Sequence, residues 1–292
     1  MQNLLITGAT GQFGSTVISV LLSKKYPVSS IHALVRDENK ASVLKKKGIY
    51  IHVGNYNDVE SLTTALEGID TVMFVSASDV PQRTQQHENV MKAINASDVK
   101  HVVYTSFVKK EISVPSAVAF VTDAHIKTEQ WLKESGKIYT FLRNNLYLNF
   151  VPVFIGDKVL ETGVYYPAGE GKTAAATRED MAEAAANILI SSDKHQNKSY
   201  NISNSATFTF TEVAETIATV TGKPVNYYSP SQEEYKQTLA NAGVPEGYIE
   251  MFAAFGEAVK RNEFDTAGTD LETLLGRKPV WLKAYFQKVY GK

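Results

Sequence analysis

The first half of the chain alternates short apolar runs with amphipathic stretches at helical spacing, and that alternation predicts a doubly wound parallel sheet. Strands are expected at residues 4–7, 31–35, 50–53, 71–75, 101–105 and 139–142, with helices at 13–25, 39–47, 59–66, 85–96 and 124–134 between them. Local signals mark several ends. Gly48 stops the second helix after Lys45, Lys46 and Lys47, whose charges complement a helix C-terminus, and Asn57 with Glu60 predicts a capping box for the third. The second half is less regular. It holds aromatic surface at 150–154 and at Tyr165 and Tyr166, an alanine-rich helix at 180–190, apolar runs at 208–210 and 225–228, and helices at 211–220, 233–242 and 248–261. Ser231 and Glu234 form a capping box for the helix at 233–242.

One junction organises the rest. Leu4, Leu5 and Ile6 run straight into Gly8-Ala9-Thr10-Gly11-Gln12-Phe13-Gly14 and then into the helical Val17, Ile18, Leu21 and Leu22. A strand, three glycines spaced by three and a helix start form a dinucleotide-binding turn. Gly8 permits the tight turn, Gly11 lets backbone approach a pyrophosphate, and Gly14 lets helix and strand pack closely. The phosphates are expected on the free N–H groups of the helix start, along the stretch that includes Thr10, Gln12 and Phe13. The fold class follows: α/β, a Rossmann-type doubly wound parallel sheet with a smaller α/β or mostly helical substrate lobe. The dinucleotide part is expected at 1–150 and about 174–204, and the lobe at about 151–173 and 205–292.

Parallel sheets bind ligands at their strand C-termini, and the residues there carry the remaining chemistry. Arg36 follows the second strand, where an arginine suits the 2′-phosphate of NADP and an acid would suit NAD; a local pairing with Asp37 or Glu38 is the alternative. Asn55, Tyr56 and Asn57 either reach the adenine or form a turn. Ser76, Ala77 and Ser78 either are small enough to admit ribose and nicotinamide or are ordinary loop residues, and Tyr104, Thr105 and Ser106 cluster beside the expected nicotinamide. None of the fifteen tyrosines is followed by lysine four residues on, so the Tyr-x-x-x-Lys relay of short-chain dehydrogenases is missing. His125 and Glu129 stand on one helical face in its place, able to meet as a structural pair or an acid–base pair.

Composition removes other function classes. Thirty basic against thirty-one acidic residues give no long-range attraction to nucleic acid or an anionic membrane. The chain has no cysteine, which rules out disulfides, thiolate zinc sites and cysteine nucleophiles and fits a reducing cytoplasm. The six histidines lack zinc-binding spacing, no flavin or metal is expected, the N-terminus reads as a core strand rather than a signal sequence, and no apolar run approaches membrane-spanning length.

These residues, with Phe141-Leu142-Arg143-Asn144-Asn145-Leu146-Tyr147, Ala168-Gly169-Glu170-Gly171-Lys172, Ala176-Thr177-Arg178-Glu179-Asp180 and Asn241-Ala242-Gly243-Val244-Pro245-Glu246, resemble the NmrA-like atypical short-chain dehydrogenases. Within them the likeness is to bacterial type 2 NADPH:quinone oxidoreductases and triphenylmethane reductases, and it covers nearly the whole chain. The resemblance implies an NADP site built from Gly8 to Gly14, Arg36, Ser76 to Ser78, Asn144, Gly169, Gly171 and Lys172. It also implies hydride transfer to a quinone or similar flat acceptor. Such an acceptor spreads negative charge into its ring and takes protons from water, so no protein acid is required, and a sugar epimerase or alcohol dehydrogenase is disfavoured. Tyr147, Phe150 and Phe107 are the expected lining, and His125 is a second catalytic candidate. The other reading is a regulator of the NmrA type that binds NADP without turning it over. The segment 107–120, with Lys109-Lys110-Glu111, has its own sequence, so substrate identity does not carry over.

Overall fold

The computed structural model describes residues 2–108, 110 and 115–291. In chain order the elements are β1 (Leu4–Ile6), α1 (Gln12–Ser23), β2 (Ile31–Val35), α2 (Ser42–Lys46), β3 (Tyr50–Val53), α3 (Val59–Ala65), β4 (Thr71–Phe74), α4 (Arg83–Asn95), β5 (His101–Phe107), α5 (Ala119–Glu134) and β6 (Ile138–Asn144). There follow α6 (Val151–Ile155), α7 (Val159–Thr162), β7 (Val164–Tyr165), α8 (Arg178–Ile190), β8 (Lys198–Ile202), α9 (Phe210–Thr221), β9 (Tyr227–Tyr228), α10 (Gln232–Asn241), α11 (Glu246–Lys260), α12 (Asp270–Leu275) and α13 (Leu282–Tyr290). The chain divides into two compact units. One runs through Phe107 and adds Phe120–Asn144 and Arg178–Asn201; the other holds Val108–Ala119, Asn145–Thr177 and everything from Ile202 on.

The first unit is built on a seven-stranded sheet of order β3-β2-β1-β4-β5-β6-β8. Pairing is parallel from β3 through β6. The order reverses between β1 and β4, which opens a crevice at their C-terminal ends, the place where such sheets bind nucleotides. Every residue of β1 and β4 is buried, as a sheet covered on both faces requires. Phe74, Tyr104 and Phe141 from three adjacent strands pack with Leu62, Ile94 and Leu132 in one core.

Helix ends show where side chains decide. The predicted helix at 39–47 is a 3₁₀ turn (Glu38–Ala41) followed by α2, and Gly48 ends it at φ +82° as expected. The capping box predicted from Asn57 and Glu60 does not form, and the cap lies one residue on. Asp58 is the cap, its carboxylate accepting the Ser61 N–H at 3.2 Å, while Asn57 donates its own N–H to the Asn55 side chain. Ser231 and Glu234 do form their box, and Thr209 with Glu212 forms another that the sequence reading missed.

The second unit packs helices around a two-stranded parallel pair, β7 with β9, and an aromatic core. Phe154, Tyr166, Phe210, Tyr235, Phe255 and Phe264 are buried there. The two tyrosines place their hydroxyls on backbone carbonyls, Tyr166 on Phe252 at 3.3 Å and Tyr235 on Phe154 at 3.1 Å, which keeps the core free of unpaired phenols. Among the described residues no helix is long and apolar enough to cross a membrane.

Candidate cofactor and active site

At the C-terminal end of β1 the chain turns at Gly8, whose φ of +59° suits glycine, and the Gly11 N–H donates to the Gly8 carbonyl at 2.9 Å. A Cβ on Gly14 would lie 2.5 Å from that carbonyl oxygen, so only glycine lets α1 start this close to the turn. Gly8, Thr10, Gly11 and Gln12 are exposed, whereas Phe13 is buried and can offer a ligand only its backbone. Gly11, the N-cap of α1, provides no side-chain cap, and the first turn carries no acidic residue. An uncapped helix start beside an open glycine turn leaves backbone N–H groups and positive potential for an anion, which fits a dinucleotide pyrophosphate.

Arg36 is exposed just beyond β2. Its acidic neighbours are engaged elsewhere. Asp37 caps the following turn by accepting the Asn39 N–H at 2.9 Å, and Glu38 pairs with Lys45. Arg36 has no ion pair among the described residues, so the local pairing is not what holds it there.

Tyr56 does not point toward an adenine. Its hydroxyl donates to the Val75 carbonyl at 2.7 Å and lies 2.5 Å from Thr7 Oγ1, which in turn accepts the Val75 N–H at 2.9 Å. This knot ties the ends of β1 and β4 together beneath the crevice. No sequence signal links Thr7, Tyr56 and Val75.

The turn after β4 is held from below. Ser76 N–H donates to Thr105 Oγ1 at 2.8 Å, Ala77 N–H donates to His87 Nε2 at 2.9 Å, and Arg83 Nε donates to the Ala77 carbonyl at 2.7 Å. A backbone N–H can only donate, so His87 Nε2 is bare and the proton sits on Nδ1, which faces Thr128 Oγ1 at 2.8 Å. Burial, with Arg83 adding to it, pushes the His87 imidazole down to about 3. Ser78 remains exposed at the rim.

His125 and Glu129 do not meet. Tyr104 and Ser106 project from the same face of β5 and each engages the helix residue above it. The Tyr104 hydroxyl is 2.7 Å from His125 Nδ1, and Ser106 Oγ donates to Glu129 Oε1 at 2.6 Å. Glu129 also accepts Arg143 Nε at 2.9 Å and Nη2 at 2.6 Å. His125 stacks on Phe107 with ring centroids 5.8 Å apart, and burial first, then Arg83 and His87, push it well below the usual histidine range. It is therefore a neutral, buried group at neutral pH. Asn144 is buried at the end of β6.

The remaining candidates belong to the second unit. Tyr147 stacks on Phe150 at 5.9 Å, and Phe150 on Phe154 at 6.0 Å. Asn145 Nδ2 anchors the start of this stretch on Ser203 Oγ, the Phe264 carbonyl and Thr266 Oγ1. Gly169, at φ +51°, packs on the Lys260 stem, and a Cβ on Gly171 would lie 2.0 Å from the Val259 carbonyl oxygen. Gly171 is thus required by packing against the end of α11, and Gly169 by its left-handed backbone. Lys172 is exposed and its N–H donates to Asn262 Oδ1 at 2.9 Å. Of the segment 107–120, Lys109 and residues 111–114 lie outside the described residues; Ser116 and Ala117 are bound by the buried Glu263 carboxylate at 2.6 and 2.9 Å.

This geometry has close counterparts. The chain is 39% identical to quinone oxidoreductase 2 of Escherichia coli over 282 residues, 96% of each protein. The crystal structure of the NADPH complex of NADPH-dependent quinone oxidoreductase from E. coli superposes with a TM-score of 0.89 at 34% identity, covering 99% of this chain and 100% of that one. Triphenylmethane reductase from Citrobacter sp. in complex with NADP(H) gives 0.89 at 36% identity, covering 98% and 99%. The NmrA-like family matches residues 1–286, and with the glycine turn, the arginine after β2 and the missing tyrosine relay all in place, this chain belongs to the NmrA-like family.

Proposed function

We propose that the protein is an NADPH-dependent oxidoreductase that passes a hydride to a quinone or a similar flat conjugated acceptor. The observation that carries this reading is the open, uncapped glycine turn with the unpaired cation of Arg36 at the neighbouring strand end. It agrees with the NADPH-bound structures of similar proteins. Bound NADPH would supply the hydride, and water the proton that completes the hydroquinone. The chain's own part is to orient. Backbone N–H groups from Gln12 onward hold the pyrophosphate, Arg36 reads the 2′-phosphate, and the pinned turn of Ser76, Ala77 and Ser78, with Asn144, shapes the nicotinamide end. Tyr147 and Phe150, ring on ring, are the aromatic surface we assign to the acceptor. Of Gly169, Gly171 and Lys172, only Lys172 has a side chain to offer a phosphate. The non-catalytic regulator is the weaker reading, because similar proteins covering most of the chain are named oxidoreductases.

Steady NADPH oxidation across a panel of quinones tests the activity, and no acceptor-dependent oxidation with any of them would exclude it. Arg36→Ala is expected to raise the Kd for NADPH by about 10- to 100-fold and to leave NADH nearly unchanged, the loss expected for charge-assisted contacts to one phosphate. Equal losses for both cofactors would remove Arg36 from the 2′-phosphate.

His125 and Tyr147 separate orientation from acid catalysis. His125→Ala removes the partner of a buried phenol and leaves a cavity, so it is expected to lower stability by about 3 kcal/mol. Its turnover is expected to stay within about tenfold of wild type, since a general acid or base would contribute about 10²–10⁴-fold. Tyr147→Ala is expected to lose more than about tenfold in kcat/KM for the quinone. Loss of a thousandfold with His125→Ala and none with Tyr147→Ala, in folded proteins, would refute the assignment.

A further inference from the structure

We infer that Arg178 is a phosphate-binding residue of the same cofactor site, acting with Gln12 on the dinucleotide pyrophosphate. The inference rests on the reading of the glycine turn as a pyrophosphate site. Arg178 is the first residue of α8 and Gln12 the first of α1, and these two helices pack along one another within the first unit. Their first residues meet: Arg178 Nη1 donates to Gln12 Oε1.

Two features of this contact point to an anion. The first is electrostatic. A helix start carries about half a positive charge, and a guanidinium held against it is repelled. Glu179 and Asp180 offset the potential at the start of α8, but α1 brings no acidic residue to its first turn and no capping side chain. A phosphate at the uncapped start of α1 would be held by this cation together with the helix start. The second feature is the direction of the amide. Arginine has donors only, so the Gln12 carbonyl oxygen must face it, and the amide nitrogen with its two N–H groups faces away. Gln12 is exposed, and its Nε2 has no partner among the described residues. Gln12 Nε2, the guanidinium and the backbone N–H groups of α1 together make a donor set suited to phosphate oxygens.

The pyrophosphate is common to NADPH and NADH, and this separates Arg178 from Arg36. Calorimetric titration of the full chain with each cofactor is the test. Arg178→Ala is expected to raise both dissociation constants by a similar factor, about 10- to 100-fold, whereas Arg36→Ala raises that for NADPH alone. Arg178→Lys is expected to recover part of the loss, because it keeps the charge without the planar fork. Added salt is expected to weaken wild-type binding more steeply than binding by Arg178→Ala. Should Arg178→Ala melt early, Arg178→Met keeps the aliphatic stem and removes only the charge. Unchanged affinity for both cofactors in folded Arg178→Ala or Arg178→Met, with wild type binding NADPH, would overturn the inference and leave the cofactor reading standing. A loss confined to NADPH would overturn it too, by placing Arg178 on the 2′-phosphate. A wild-type protein that binds neither cofactor would overturn both readings.

Discussion

A Gly11→Val protein is expected to melt cooperatively near the wild-type temperature and yet to bind NADPH at least about a thousandfold more weakly, because a branched side chain would stand where we propose the pyrophosphate passes. The backbone permits the substitution. Gly11 has φ −78° and ψ 165°, an extended conformation open to any residue, and it is exposed, so no core contact is lost. A Cβ there would lie 3.2 Å from the Gly8 carbonyl oxygen, a contact relieved by a shift of a few tenths of an ångström. Gly14 would be the wrong probe, since its Cβ would come within 2.5 Å of the same oxygen and damage the turn itself. Calorimetry together with a thermal melt reads both halves of the expectation. Undiminished NADPH affinity in Gly11→Val would show that the phosphates are held elsewhere.

Mild acid is expected to unfold the protein between about pH 6 and pH 4, a window that opens above the range in which most carboxylates titrate. His87, His101 and His125 are all buried, and burial holds His87 down to about 3, His101 to about 4 and His125 well below its ordinary 6.5. The unfolded chain takes up these protons near pH 6.5 and the folded chain does not. Below 6.5 the unfolded state therefore binds more protons, and stability falls with pH until each folded value is reached. Each pKa unit corresponds to about 1.4 kcal/mol, so keeping His87 neutral at pH 4 costs about 3 kcal/mol. His101 adds a comparable amount and His125 acts in the same direction. A loss of about 6 kcal/mol is of the order of a domain's whole net stability. Circular dichroism against pH, with denaturant melts at pH 7 and pH 5, measures this. Equal stability at the two values would show that these imidazoles are not held neutral by the fold.

The parallel sheet and the glycine turn were legible because each is written in a continuous run of sequence. Leu4 to Gly14 carries a strand, a turn and a helix start without reference to anything distant, and Arg36 needs only its place after a strand. The side-chain network beneath the crevice was not legible. His87 reaches Ala77 and Thr128, and Tyr56 reaches Thr7, across separations set by strand order rather than by any local period. The His125 and Glu129 pairing failed for the same reason: helical spacing brings two residues to one face, and what that face packs on decides their partners. In the second unit β7 and β9 have two residues each, too few to show alternation. Nor does the sequence show that Gly171 packs against the Val259 carbonyl.

The turn at Ser76 and Ala77 hands its amides to buried side chains whose own bonds are already made. The conformational entropy of that edge is therefore surrendered when the chain folds rather than when a ligand arrives. In the cofactor site we propose, nucleotide exchange would proceed against a surface that needs no reassembly between one occupant and the next.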